Sequence, residues 1–197
     1  MAWLDGLDIP FAQQNDVGFF EFGSDRVSDY AAPQFSRSER LWAHPGLRPL
    51  SGLRDTASSP IAAYRWDHTD RALTEQLLLE DEGQPATVEP GHAAIRYVNP
   101  TTGGDVMSTI RCEFHRLREG TKTPVKREVG SSVFQVFAGQ GAIDLNGENH
   151  KLDTGDLFVV PSWVAWSLEA EGQFDLFRFS DAPIIERLNF ARTQVER

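Results

Sequence analysis

The sequence predicts a mainly β protein: one sandwich or barrel, preceded by an irregular and partly helical arm and closed by a short C-terminal helix. Three observations predict it. Between positions 95 and 179 apolar and polar residues alternate with a period of two, the signature of strands with an inner and an outer face. Turn residues interrupt that stretch every ~8–12 residues, as in an all-β sandwich or barrel. Before it, Pro10, Pro33, Pro45, Pro49, Pro60, Pro85 and Pro90 break up regular structure. With 197 residues the chain is long enough for one core plus an extended arm. The expected division is an arm over 1–94, a barrel over 95–182 and a terminal helix over 183–197.

Within the arm the clearest element is a helix near 70–82. Thr69 or Asp70 caps it, Ala72, Leu73, Leu77 and Leu78 form its apolar stripe, and Gly83 with Pro85 stops it. Phe19 and Phe20 lie in a segment expected to pack as an arm. The first clear strand places Ile110, Cys112 and Phe114 on one buried face and Arg111, Glu113 and His115 on the other. A second strand, 133–137, reads as core on both faces. Residues 142–145 run into Asn146-Gly147, a hairpin signal because both residues tolerate positive φ. Residues 157–160 form a strand closed by Pro161, and 174–179 form the last. Ser180 or Asp181 then caps a helix with Pro183 in its first turn and Ile184, Ile185 and Leu188 on its apolar side. No internal repeat is visible.

Composition narrows the function classes. A net charge of −10, from 29 acidic and 19 basic residues, disfavours nucleic acid and anionic membrane as partners. A 40% hydrophobic and 24% charged composition excludes wholesale disorder. No apolar run approaches the ~20 residues of a membrane span. The first residues lack the basic and apolar regions of a secretory leader, and the single Cys112 excludes an internal disulfide. A cytoplasmic location is therefore expected.

Catalytic motifs are scarce. None of His44, His68, His92, His115 and His150 stands two or four residues from another, so no ligand pair lies within one element. All five read as solvated or hydrogen-bonded structural histidines, His92 in a Pro-Gly-His turn and His115 within a strand. Cys112, on the apolar face, reads as a buried thiol. Ser131-Ser132 lacks the turn that exposes a hydrolase serine. Gly103-Gly104 lacks the phosphate-loop pattern, and Glu80-Asp81-Glu82 is a solvated helix tip. No self-contained catalytic constellation is present.

Longer stretches carry a family resemblance. Gly155 to Pro161, a glycine, five residues and a proline, has the spacing of the second cupin motif, and Gly120 with Gly139 has the interval of the first. Trp3-Leu4-Asp5-Gly6-Leu7-Asp8-Ile9-Pro10, Arg96-Tyr97-Val98-Asn99-Pro100-Thr101-Thr102-Gly103-Gly104, Val159-Val160-Pro161-Ser162-Trp163 and Phe179-Ser180-Asp181-Ala182-Pro183 resemble gentisate 1,2-dioxygenases. The resemblance runs along essentially the whole chain. It implies a cupin double-stranded β-helix, the jelly-roll barrel. Family members are bicupins that assemble into oligomers and use Fe(II) and O2 to open gentisate to maleylpyruvate. This chain then corresponds to the inter-barrel arm, the second cupin and the C-terminal helix, and the barrel that generally holds the iron lies outside it.

The resemblance also locates the metal-ligand positions. The His-x-His pair falls on Lys126 and Glu128, the glutamate on Ser132 and the last histidine on Trp166. All four have departed, so no catalytic, cofactor-binding or metal-binding residue is expected in this chain. Lys126 is a cation where a metal needs a ligand, Glu128 is a lone carboxylate, and Trp166 reads as a plug. A metal site drawn from Glu113, His115 or Glu128 has no geometric support in the sequence. The leading expectation is a metal-free structural half, partnered by an N-terminal iron-bearing cupin barrel and by copies of itself. Exposed Trp3, Leu4, Phe11, Phe19 and Phe20 are its candidate contact surface. The alternatives are a subunit of a split dioxygenase completed by a separate iron-bearing chain, or a small-molecule binding module with a pocket between Trp163, Trp166 and Phe134.

Overall fold

The computed structural model describes residues 4–23, 33–44, 46–51 and 54–196. Trp3 and Pro45 lie outside the described residues. The arm begins with two short helices, α1 (Ile9–Gln14) and α2 (Arg37–Leu41), and ends in the long α3 (Trp66–Asp81). Ser36 and Glu39 close a reciprocal capping box on α2. Ten strands follow. Five form one antiparallel sheet in the order β1 (His92–Arg96), β2 (Arg111–Leu117), β9 (Phe174–Ser180), β4 (Ser132–Ala138) and β7 (Leu157–Val160). The other five form the facing sheet, ordered β10 (Thr193–Val195), β3 (Lys126–Glu128), β8 (Trp166–Ala170), β5 (Gln140–Leu145) and β6 (Glu148–Asp153). A short helix, α4 (Ala182–Arg187), links β9 to β10. Two facing antiparallel sheets are the sandwich the alternation predicts and the jelly roll the resemblance implies. Among the described residues no helix is long and apolar enough to cross a membrane.

The main core fills the space between the sheets. Phe134, Leu117, Phe174 and Leu176 are fully buried there with Val136, Ile143, Leu168 and Trp166; each such side chain contributes about 1.5–3 kcal/mol by leaving water. A second cluster of Leu73, Leu77, Ala93 and Phe114 joins α3 to the outer face of the first sheet. The Asn146-Gly147 turn connects β5 to β6 with both residues at positive φ, 53° and 88°. Gly139 is also required, because a side chain there would collide with the Gln173 carbonyl.

Several boundaries and faces differ from expectation, each for a packing reason. The helix expected at 70–82 starts at Trp66, whose ring packs against Phe114 and Phe137 at 5.2 and 4.5 Å. Thr69 does not cap it; buried, it shares a hydrogen bond with the Tyr97 hydroxyl. Its buried stripe is Thr69, Leu73 and Leu77, while Ala72 and Leu78 are exposed. Strand β2 is covered on both sides: Phe114 and Arg116 meet α3, while His115 and Leu117 face the interior. β4 buries only Ser132, Phe134 and Val136, leaving Phe137 exposed. The barrel begins at His92, not 95, because β1 pairs with β2 over its whole length. The segment expected as a terminal helix over 183–197 is helical only to Arg187, after which β10 returns to pair with β3.

Candidate functional site

One end of the barrel interior is apolar and the other is charged. At the charged end β1 supplies His92, β2 supplies Glu113 and His115, β3 supplies Lys126 and Glu128, and β4 supplies Ser132. Trp166 of β8 and Arg178 of β9 complete it. Lys126, Glu128, Ser132 and Trp166, the four positions singled out from sequence, therefore converge.

Arg178 organises the cluster. Its Nη2 donates to Glu128 Oε2 at 2.9 Å and to Ser132 Oγ at 2.7 Å, and its Nε donates to the same Oγ at 3.0 Å. Nη1 lies 3.2 Å from Glu113 Oε2. The guanidinium sits 5.3 Å from the Phe134 ring centroid, and the Lys126 ammonium 4.3 Å from that of Trp166. Lys126 Nζ is 3.8 Å from Glu128 Oε1, a loose ion pair. Two cations and two carboxylates thus balance one another in a site largely closed to water.

The imidazoles of His92 and His115 meet at 3.0 Å, Nε2 to Nδ1, across β1 and β2. Burial first, then the neighbouring His115 and the Lys126 ammonium, push His92 down to about 3. Burial also lowers His115, outweighing the opposing pull of Glu113. Both rings are therefore neutral at pH 7. If His92 donates through Nε2, His115 carries its proton on Nε2, turned toward Glu113 Oε2 at 3.8 Å. Burial favours the neutral acid of Glu113, yet His115 and Arg178 hold its carboxyl well below the usual range. Burial lowers Lys126 as well.

This donor set does not suit Fe(II), which takes imidazole nitrogen and carboxylate oxygen with positions left open. Both carboxylates are engaged by Arg178, the two imidazoles are bonded to each other, and an ammonium lies among them. Among the described residues no three His, Cys, Asp or Glu groups converge as a metal shell. The pocket weighed between Trp163, Trp166 and Phe134 does not form. Trp166 is 2% exposed with its ring 5.5 Å from Phe134, whereas Trp163 sits 42% exposed on the turn after β7. A cavity of only about 120 Å³ remains at the charged mouth.

Sequence reasoning missed Arg178 and the meeting of His92 with His115; it named Glu113 and His115 only as members of an unsupported metal site. Arg178 had a signal: it continues the inward series Phe174 and Leu176 on β9. The histidines had none, because their approach depends on pairing between strands 23 residues apart. Cys112, expected buried, is half-buried on the Phe114 side of β2, and burial with Glu113 and Asp105 pushes its thiol up to about 11.

Two facing five-stranded antiparallel sheets around a filled interior define a cupin-class jelly roll. No family model matches the chain. It is 56% identical over 193 residues to the gentisate 1,2-dioxygenase of a Streptomyces species, covering 98% of this chain and 54% of that protein. It is 30% identical to the 5-aminosalicylate 1,2-dioxygenase of a Comamonas species, covering 98% of this chain and 50% of the relative. The crystal structure of salicylate 1,2-dioxygenase from Pseudoaminobacter salicylatoxidans, with gentisate, superposes with a TM-score of 0.93 at 77% identity, over 96% of this chain and 52% of that one. The chain belongs to the gentisate and salicylate 1,2-dioxygenase family. It spans about half the length of the curated relatives it matches.

Proposed function

We propose that this chain is the metal-free C-terminal cupin half of a ring-cleaving dioxygenase acting on a hydroxylated aromatic acid of the gentisate and salicylate type. It holds no iron itself and is inactive alone; a second, N-terminal barrel carries the iron, and this half stabilises and assembles the enzyme in the cytoplasm. The observation that carries the reading is the Arg178 bridge to Glu128, Ser132 and Glu113, where the resemblance implies metal ligands. An arginine clamp between two carboxylates puts ion pairs where a metal would need free ligands. The arm supports the assembly role: Phe19, Phe20 and Phe22 are 91%, 79% and 87% exposed, the kind of apolar surface that another barrel or another copy covers. Leu4 is half-buried and Phe11 is 38% exposed.

Iron content after anaerobic Fe(II) loading and desalting tests this directly. Near-zero iron and no gentisate consumption by this chain alone are expected, with turnover restored when an iron-bearing N-terminal barrel is supplied. Iron approaching one per chain would overturn the reading.

A further inference from the structure

A cavity outside the barrel is lined by aromatic side chains and arginines, and we propose that it binds an aromatic carboxylate. The cavity has a volume of about 920 Å³ and lies between α2, the start of α3, the outer face of β1 and the loop that follows β1. Its walls are mainly apolar, with Phe35, Trp42, Tyr64, Tyr97, Leu47 and Ile95 prominent. A concave apolar site of this size with a few polar groups is the form that encloses a small molecule.

Two independent observations give the ligand its chemistry. The first is Trp42, 8% exposed, whose indole Nε1 has no hydrogen-bond partner among the described residues. A buried donor left without an acceptor marks a place where an acceptor belongs. Its neighbours do not share this deficit: the Tyr64 hydroxyl bonds Val98 O and the Tyr97 hydroxyl pairs with Thr69.

The second is charge. In a chain of net charge −10, four arginines border this one cavity: Arg40, Arg48, Arg65 and Arg96. Arg65 is held by Glu39, Arg48 by Asp55 and the Thr101 carbonyl, and Arg96 lies 3.8 Å from Asp105. Arg40, at the end of α2, has no carboxylate partner among the described residues. Asp67 also borders the cavity, so the local field suits a single negative charge better than a phosphate chain. Flat walls of tryptophan, tyrosine and phenylalanine suit a flat body, and a guanidinium and an indole N–H without such partners among the described residues suit its carboxylate. The cavity and the Arg178 cluster share no lining residue, so this inference does not depend on the barrel being metal-free.

Calorimetric titration of the full chain with 2-naphthoate, and with 2-naphthamide as the uncharged comparison, tests the proposal. One saturable site per chain is expected, with naphthamide at least about ten-fold weaker. Arg40→Gln is expected to weaken naphthoate about ten-fold while leaving naphthamide unchanged. Trp42→Phe, which keeps the packing and removes the donor, is expected to weaken naphthoate by several-fold. Arg40 is exposed, so its replacement leaves the fold intact and the result readable even if the Trp42 variant does not fold. Absence of saturable binding at millimolar naphthoate, or binding that ignores Arg40→Gln, would overturn the proposal.

Discussion

The two ends of the barrel interior are made by the same strands and are filled by opposite means. β9 contributes Phe174 and Leu176 to one end and Arg178 to the other; β2 contributes Leu117 and then His115 and Glu113. β4 passes from Val136 through Phe134 to Ser132, and β8 from Leu168 to Trp166. The apolar end gains stability from every residue by burial. The charged end gains it only while its partners remain matched, because each desolvated charge costs free energy that its counter-charge must offset. Charged side chains can therefore fill a barrel end without collapse, provided that they neutralise one another.

The largest effect is expected at the apolar end. Phe134 is fully buried and stacks on Phe158 at 4.9 Å. Phe134→Ala should cost about 4 kcal/mol through lost burial and the cavity left behind, read as a lower urea midpoint with an unchanged slope. Next comes the charged end broken on one side. Arg178→Met strands Glu113 and Glu128 and should cost about 3 kcal/mol. Adding Glu113→Gln and Glu128→Gln should recover most of that loss. A triple variant no more stable than Arg178→Met would mean that the guanidinium acts by packing, and the contrast between the two ends would fall.

The third effect is on pH. His92 titrates near 3 in the folded protein against 6.5 in the unfolded chain, so between those values the unfolded state binds more protons. Stability is then fully present above pH 6.5 and lost as pH falls. Burial lowers His115 in the same sense. Glu113 also loses its contribution on acidification, but only below about 4.5, its ordinary value. The decline between pH 6.5 and 5 therefore belongs to the histidines, about 2 kcal/mol for His92 alone. Urea unfolding at pH 7, 6 and 5 should show this slope, and His92→Gln should flatten it. An equal slope in the variant would show that His92 is not what titrates.

How much of this was legible in the sequence divides along the same line. The strands of the apolar end were readable as strands, although 133–137 read as core on both faces, because apolar runs bounded by turn residues are a local pattern and need no knowledge of which strands pair. The Asn146-Gly147 hairpin was readable for the same reason. β6 was hard to see, because an edge strand that buries only Leu152 shows no apolar alternation, and β10 because three exposed residues carry none. At the charged end the resemblance named Lys126, Glu128, Ser132 and Trp166. What binds them together could not, since Arg178 lies 46 residues from Ser132 and 50 from Glu128. Non-local pairing decides such clusters, and charge type alone does not say which cation carries the network.

Lys126 makes that point as a measurement and gives the smallest expected effect. It shares the site and the sign of charge with Arg178, and of the two it alone was singled out from the sequence. Among the described residues its one carboxylate contact is with Glu128, at 3.8 Å, and burial already lowers its affinity for a proton. Glu128 keeps the 2.9 Å bond from Arg178 whether or not the ammonium is present. Lys126→Met should therefore change stability by no more than about 1 kcal/mol, the loss of a cation–π contact with Trp166 being offset by the desolvation no longer incurred. Measured beside Arg178→Met, a difference of about 2 kcal/mol between two deletions of one positive charge would show that hydrogen-bond geometry, not net charge, holds the charged end together. Equal losses would mean that the cluster senses charge alone.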